Sequence, residues 1–296
     1  MELDQLNAEQ KKAVLYNDGP LLILAGAGSG KTKVLTTKIA YLIKEKQVSP
    51  YEILAITFTN KAAKEMKERV ENLIGEEARW IQISTFHSFG LKLLRENCKE
   101  LGYEPNFVIM DSDDSLTIVK KIVKELNYDV KQYNPKAIKN KISSCKNELM
   151  SPKDYEKYIG NDYDKVIYEV YEIYEEKLKS SNAVDFDDLL VLPIKLFRKN
   201  KDILEHYQNR YKYILIDEYQ DTNEAQYILS KMISAKYKNI CVVGDADQAI
   251  YGFRGANYKN ILNFEKDYPN ALSIKLEQNY RSTKNILDAA NCVIRN

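Results

Sequence analysis

Leu21-Leu-Ile-Leu24 runs into Ala25-Gly-Ala-Gly-Ser-Gly-Lys31-Thr32, and a helical pattern follows from Lys33. An apolar strand, a glycine loop ending in Gly-Lys-Thr and a helix together make a phosphate-binding loop. Glycines let successive backbone N–H groups curl around phosphate oxygens, and the helix N-terminus adds its positive dipole. Ala25, Gly26, Ala27, Gly28, Ser29 and Gly30 form the cradle, with alanine at the first position where glycine is usual. Lys31 is placed to reach β- and γ-phosphates, and the Thr32 hydroxyl to hold Mg²⁺. The chain is therefore expected to handle ATP or GTP.

The rest of the chain supplies the sheet that such a loop needs. Short β-branched runs at 21–25, 53–58 and 81–85 alternate with helical segments at 34–45 and 62–74. That alternation predicts βαβ units and a parallel sheet with helices on both faces. From about Asp111 to Ser181 the strand signal vanishes, and helices broken at Asn134-Pro135 and Ser151-Pro152 take its place. Strands resume at 213–216, 240–243 and 272–276. The expected architecture is an α/β domain of residues 1–108 and 182–274 interrupted by an all-helical inserted subdomain, 109–181. After the strand at 272–276 come Asn279-Tyr-Arg-Ser282 and the start of a helix near Lys284. One strand and one helix cannot bury their own apolar faces, so 275–296 read as the opening of a second, truncated domain.

Composition narrows the class. The chain has 296 residues, 44% hydrophobic and 29% charged, which suits packed cores and argues against disorder. Cys98, Cys145, Cys241 and Cys292 lack paired spacing, and with two histidines they oppose a zinc site or disulfide framework. No apolar run reaches membrane-spanning length and the N-terminus is not a signal peptide, so a cytoplasmic protein is expected. Net charge is only +1, yet residues 116–148 hold eight lysines against three acids, and residues 154–188 eleven acids against four lysines. The lysine run reads either as a solvated helix face or as a phosphate-contacting stripe. Tyr168, Tyr171 and Tyr174, three residues apart, read as a packing face of a helix.

Ile214-Leu-Ile216 leads directly into Asp217-Glu218 at the edge where open parallel sheets bind ligands. Asp217 is expected to hold Mg²⁺ through water, opposite Thr32, and Glu218 to orient or deprotonate the attacking water. A further strand, 240–243, ends in Gly244-Asp-Ala-Asp-Gln248, which puts the Gln248 amide at the same edge, facing a γ-phosphate. Tyr251, Phe253 and Arg254 lie just beyond and could couple nucleotide state to something stacked nearby.

These stretches occur together in one family. The chain resembles the N-terminal half of UvrD/Rep/PcrA-type superfamily 1 DNA helicases. The resemblance rests on Leu6-Asn-Ala-Glu-Gln10, the phosphate loop, Thr57-Phe-Thr-Asn-Lys-Ala-Ala63 and Ser84-Thr-Phe-His-Ser-Phe89. It continues through Asp185-Phe-Asp-Asp-Leu189, Asp217-Glu-Tyr-Gln-Asp-Thr-Asn223, Gly244-Asp-Ala-Asp-Gln-Ala-Ile-Tyr251 with Phe253-Arg-Gly-Ala256, and Gln278-Asn-Tyr-Arg-Ser-Thr283. It implies a RecA-like P-loop NTPase sheet. Gln10 would read the adenine edge, which favours ATP, Tyr280 would stack on the base, and Gln248 and Arg281 would contact the γ-phosphate. Lys33 stands where these helicases usually carry an arginine beside the adenine, and Phe253 where tryptophan is frequent. The family's single-strand path falls on Phe58, Asn60, Phe86, His87, Tyr251, Phe253 and Arg254. On spacing alone, Phe58 and Phe86 read as core residues and His87 as an ordinary buried or capping histidine.

The implied activity is ATP-dependent 3′-to-5′ movement on single-stranded DNA with unwinding at single/double-strand junctions. ATP and Mg²⁺ are the implied ligands, and the remaining helicase domains the implied partners. The family's later motifs are absent from this sequence, so weak turnover is expected of it alone. Two other readings stand beside this one: a helicase subunit of a helicase–nuclease complex, and a nucleotide- or DNA-binding protein that does not translocate. No pathway or protein partner is legible.

Overall fold

A computed structural model describes residues 3–245, 259–283 and 285–286. Six strands form one parallel sheet: β1 (Leu21–Ala25), β2 (Ile53–Thr57), β3 (Gln82–Thr85), β6 (Tyr213–Ile216), β7 (Asn239–Gly244) and β8 (Leu272–Leu276), in the order β3-β2-β6-β7-β1-β8. A two-stranded parallel pair, β4 (Val108–Ile109) and β5 (Ala183–Val184), flanks the helical region between them. The helices are α1 (Ala8–Leu15), α2 (Lys31–Lys44), α3 (Asn60–Ile74), α4 (Phe86–Asn97), α5 (Ser112–Glu125), α6 (Pro135–Asn147), α7 (Pro152–Tyr155), α8 (Asp162–Ser180), α9 (Asp188–Lys199), α10 (Lys201–Arg210), α11 (Glu224–Ser234) and α12 (Lys259–Asp267).

Period-two side-chain alternation explains why the strands are apolar throughout. Leu21 and Ile23, Ile53 and Ala55, Leu215, and Cys241 and Val243 point to one core with residues of α1, α2 and α3. Leu22, Leu54 and Ile56, Ile214 and Ile216, and Ile240 and Val242 point to the other, with residues of α4, α9, α10, α11 and α12. The central strands β1, β2, β6 and β7 are thus buried on both faces, as a parallel sheet covered by crossover helices requires. The α/β fold with helices on both faces is as the sequence predicted.

The strand at 272–276 departs from that reading. β8 pairs with β1 along its whole length, from Leu21 opposite Leu272 to Ala25 opposite Leu276, so it completes this sheet. Ile274 and Leu276 are buried in the α1/α2 core while Ser273 and Lys275 face solvent. The apolar face for which the sequence offered no partner finds one in the α1/α2 core, and a boundary after residue 274 would cut the strand. The helix expected from Lys284 lies almost wholly outside the described residues.

Between β4 and β5, α5, α6 and α8 enclose a core of their own, including Val119, Ile142, Val166 and Val170. Tyr171 and Tyr174 are buried in it, which makes the tyrosine stripe a packing face. Both predicted breaks are helix starts: Asn134 caps α6 and Ser151 caps α7, each with proline at the first turn. One lysine of the basic run does what neither reading of that run foresaw. Lys146 on α6 is fully buried, with Nζ 2.7 Å from Asp185, 2.8 Å from Asp188 and 2.7 Å from Glu175. The oppositely charged runs meet at this point.

Helix α4 lies against α9 at unusually short range. Pro193 inside α9 has no N–H for the Leu189 carbonyl. That carbonyl instead faces Gly90, where a Cβ would sit 1.8 Å from its oxygen. Gly90→Ala is therefore expected to destabilise the fold by about 3 kcal/mol through overpacking against backbone. Urea unfolding checks this, and a loss below about 1 kcal/mol would contradict it. Among the described residues, no helix is long and apolar enough to cross a membrane.

Candidate functional site

Parallel pairing puts the C-terminal ends of β1, β7, β6, β2 and β3 along one edge of the sheet. The phosphate loop leaves β1 there. Gly28 and Gly30 hold φ of 70° and 86°, left-handed values that a side chain would strain, and Gly30 caps α2. Buried Ser29 closes the turn by donating its Oγ to the Gly26 carbonyl at 2.7 Å. Lys31 opens α2, and its Nζ lies 3.0 Å from Glu218 Oε2 across the loop.

Asp217 and Glu218 follow β6. Glu218 adopts φ 50°, ψ 47°, a left-handed backbone that a non-glycine residue holds only when its surroundings fix it. Its Oε2 also accepts from Gln220 Nε2 at 2.9 Å, and Gln220 Oε1 accepts from the Asp245 backbone N–H at 3.0 Å. Gln220 thus ties the end of β6 to the end of β7. Burial and the Glu218 carboxylate push Asp217 up to about 6, and the same two causes raise Asp221 to about 6. A buried carboxyl at raised pKa is one that a cation would bring back to its charged form. Asp217 and the Thr32 hydroxyl are an oxygen donor set that suits Mg²⁺.

The segment after β8 lies over the phosphate loop. The Tyr280 N–H donates to the Gly28 carbonyl at 2.9 Å, and the Asn279 side chain donates to the Ala27 carbonyl. Asn279 Oδ1 also accepts from the Arg281 and Ser282 N–H groups, both at 2.8 Å, so it folds the turn that carries Arg281. A Cβ on Gly28 would meet Arg281 Cβ at 2.6 Å, which explains glycine there a second time. No role for Asn279 or Gln220 was legible in the sequence. An asparagine two residues before Arg-Ser was the available signal for the first, through its turn-forming side chain.

Gln10, Tyr280 and Lys33 gather on one flank. Asn7 Nδ2 donates to the Tyr280 hydroxyl at 2.8 Å, and the Asn7 N–H to Gln10 Oε1 at 3.1 Å. Gln10 Nε2 donates to the Ser29 carbonyl at 2.9 Å, and the side chain is buried. Both ends of the Gln10 amide therefore brace the loop, each with one further donor or acceptor position to spare. Lys33 Nζ donates to the Gln5 carbonyl at 3.2 Å.

A second site lies along the same edge, beyond β2 and β3. It is a cleft of about 630 Å³ between the ends of those strands and helix α6. Thr59 caps α3, Thr85 caps α4 and Asn223 caps α11, so three helix N-termini meet the cleft. Phe58, Asn60, Phe86 and His87 all line it. Phe86, however, is only 5% exposed and packs with Leu54, Ile56 and Phe89. As the first residue of α4 it drops under β2, so it forms the floor and is not a free platform for stacking. The ring missed by sequence reasoning is Phe186, 55% exposed and stacked on His87 with centroids 4.0 Å apart. Burial pushes His87 down to about 4, so the imidazole is neutral at pH 7 and offers a face rather than a charge. Gln248, Tyr251, Phe253 and Arg254 lie outside the described residues. Among the described residues lining the cleft there is no lysine or arginine, and amides, hydroxyls and aromatic rings dominate.

Residues 6–269 match the model for the UvrD/REP helicase N-terminal domain. ATP-dependent DNA helicase PcrA of Staphylococcus epidermidis is 55% identical over 290 residues, which cover 98% of this chain and 40% of that protein. The protein of the same name from Staphylococcus aureus is 53% identical over 294 residues, 99% of this chain and again 40% of the relative. The chain thus spans about two fifths of the length of these relatives.

Proposed function

Since the chain belongs to the UvrD/REP helicase N-terminal domain family, we propose that it is the ATP-binding motor portion of a DNA helicase that moves 3′ to 5′ on single-stranded DNA. One observation carries this reading: the phosphate loop with its Lys31–Glu218 pair and the aromatic cleft with its three helix N-termini open on a single sheet edge.

ATP binds with its phosphates on the amides of 26–32, between the loop and the turn bearing Arg281. Lys31 exchanges Glu218 for the phosphates, which releases the Glu218 carboxylate to orient water and take its proton. Thr32 and Asp217 would hold Mg²⁺, which when bound would supply positive charge beside the phosphates. Arg281 and Gln248 contact the γ-phosphate, and Tyr280 covers the base. Glu218 is 35% exposed in this chain. A site so open to water leaves its charges screened, so turnover by the chain alone is slow and faster in a full-length protein whose further domains cover it. Hydrolysis measured with and without an oligonucleotide tests this, and vigorous DNA-stimulated turnover by the chain alone would sink it.

The cleft takes single-stranded DNA at junctions with duplex. Bases stack on the His87–Phe186 pair and Phe58, while the amides at the helix N-termini meet phosphates. Phe186→Ala is expected to weaken oligonucleotide binding by about 1–3 kcal/mol, the worth of one stacked base. His87→Ala should follow it, and fluorescence anisotropy reads both. Unchanged affinity in both variants would place the DNA elsewhere.

A further inference from the structure

Asn147, the last residue of α6, makes hydrogen bonds to two other parts of the fold. Its Nδ2 donates to Asp187 Oδ1 at 3.0 Å and to the Ser143 carbonyl at 2.8 Å, while its Oδ1 accepts from Asn223 Nδ2 at 2.6 Å. One amide therefore joins α6, the residues just before α9 and the cap of α11. Its donors and its acceptor are all in use, a combination no carboxylate or hydroxyl side chain can supply.

The two partners lead to different sites. Asn223 lies five residues beyond Glu218. The intervening stretch is held rigidly: Gln220 bonds Glu218, and Asn260 Nδ2 donates to the Thr222 carbonyl and hydroxyl at 3.0 and 3.1 Å. Asn223 and Gln226 bond reciprocally at the α11 N-terminus. Asp187, on the other side, adjoins Phe186, whose ring stacks on His87 in the cleft.

We propose that Asn147 is a positioning residue that couples the nucleotide site to the cleft by tying the Glu218–Asn223 segment to the Phe186–Asp187 wall through helix α6. The proposal rests on the reading of the cleft as the single-strand path. Its bistable element is the Glu218 carboxylate, paired with Lys31 and Gln220 at 3.0 and 2.9 Å in this structure and released from Lys31 when phosphate takes the ammonium. Glu218 also holds a left-handed backbone, strain that its surroundings must fix and that release of the carboxylate would let relax. Movement of the segment reaches Asn223, and Asn147 hands it to the wall on which bases rest. Lys146, the neighbouring residue, anchors the same end of α6 on Asp185 and Asp188, so α6 transmits the displacement instead of absorbing it.

The test is the factor by which a non-hydrolysable Mg·ATP analogue changes the affinity of this chain for a labelled oligothymidylate. The wild-type chain should show a factor of about 5 or more. In Asn147→Ala that factor should collapse to within about twofold of one, while analogue affinity alone stays within about twofold of wild type. Asn147→Asp keeps the acceptor for Asn223 but sets two carboxylates face to face, and should lose the coupling too. Combining it with Asp187→Asn restores a donor–acceptor match and should bring the coupling back. A merely structural role would not predict that recovery. Full coupling in Asn147→Ala, or no recovery in the paired variant, overturns the proposal while leaving the cleft reading intact. Absence of oligonucleotide binding by the wild-type chain overturns the cleft reading, and the proposal with it.

Discussion

Lys146→Met is expected to destabilise the fold by about 3–5 kcal/mol, the cost of stripping a buried charge cluster of its cation. In the native chain the ammonium is within 2.8 Å of Asp185, Asp188 and Glu175, and Tyr174 donates to Asp185 at 3.0 Å. Asp185 and Asp188 also accept each other's backbone N–H, at 3.1 and 2.9 Å, so they cannot turn away to solvent. Methionine fills the space but leaves carboxylates without a counter-charge. The loss has a pH signature. Burial and the Asp185 carboxylate already raise Asp188 to about 8, so its folded form holds a proton more tightly than the unfolded chain does. Stability from such a group is present at low pH and lost as pH rises from the ordinary carboxylate range through its folded value. Removing the ammonium, which favours the charged form of Asp188, raises that carboxyl further, so the variant should lose more at pH 8 than at pH 5. Urea unfolding at the two values decides it: a deficit below about 1 kcal/mol, or a larger one at pH 5, would contradict the cluster as described.

Lys31→Ala is expected to weaken binding of a fluorescent ATP analogue by about 10- to 150-fold, the 1.5–3 kcal/mol of a charged hydrogen bond. Turnover in the full-length protein should fall by a further factor of about 10²–10³, since the ammonium meets charge that grows in the transition state. The substitution leaves Glu218 with its Gln220 partner and partial access to solvent, so the fold should unfold at the wild-type urea midpoint. Glu218→Gln separates the two roles. It removes the base but no phosphate contact, and should lower kcat while nucleotide affinity holds or tightens. Equal losses of affinity in both variants would mean that Glu218 belongs to the binding surface rather than to the chemistry.

What could be read from the sequence follows from how local each signal is. The phosphate loop was legible because glycines at 28 and 30 answer a backbone need visible in six residues. The sheet was legible because strands buried on both faces are apolar without a break. β8 was only half legible: its own residues show the strand, but its partner β1 lies some 250 residues away in sequence. Lys146 looked like any other of eight lysines, since nothing in a helical pattern says which cation will meet acids from a later helix. Phe186 is a single ring among three acids, and only the approach of α4 to the start of α9 sets it on His87. Phe86 shows the reverse case, where spacing alone said core and packing agrees.

The most direct test of a shared edge for nucleotide and DNA is amide hydrogen exchange of this chain, with and without a saturating single-stranded oligonucleotide and Mg·ATP analogue. The oligonucleotide should slow exchange at the first turns of α3, α4 and α11 and around Phe186, and the analogue at 26–33 and 279–282. Protection by the oligonucleotide confined to the lysine-bearing outer faces of α5 and α6, with those three helix starts unchanged, would contradict the cleft as the single-strand path.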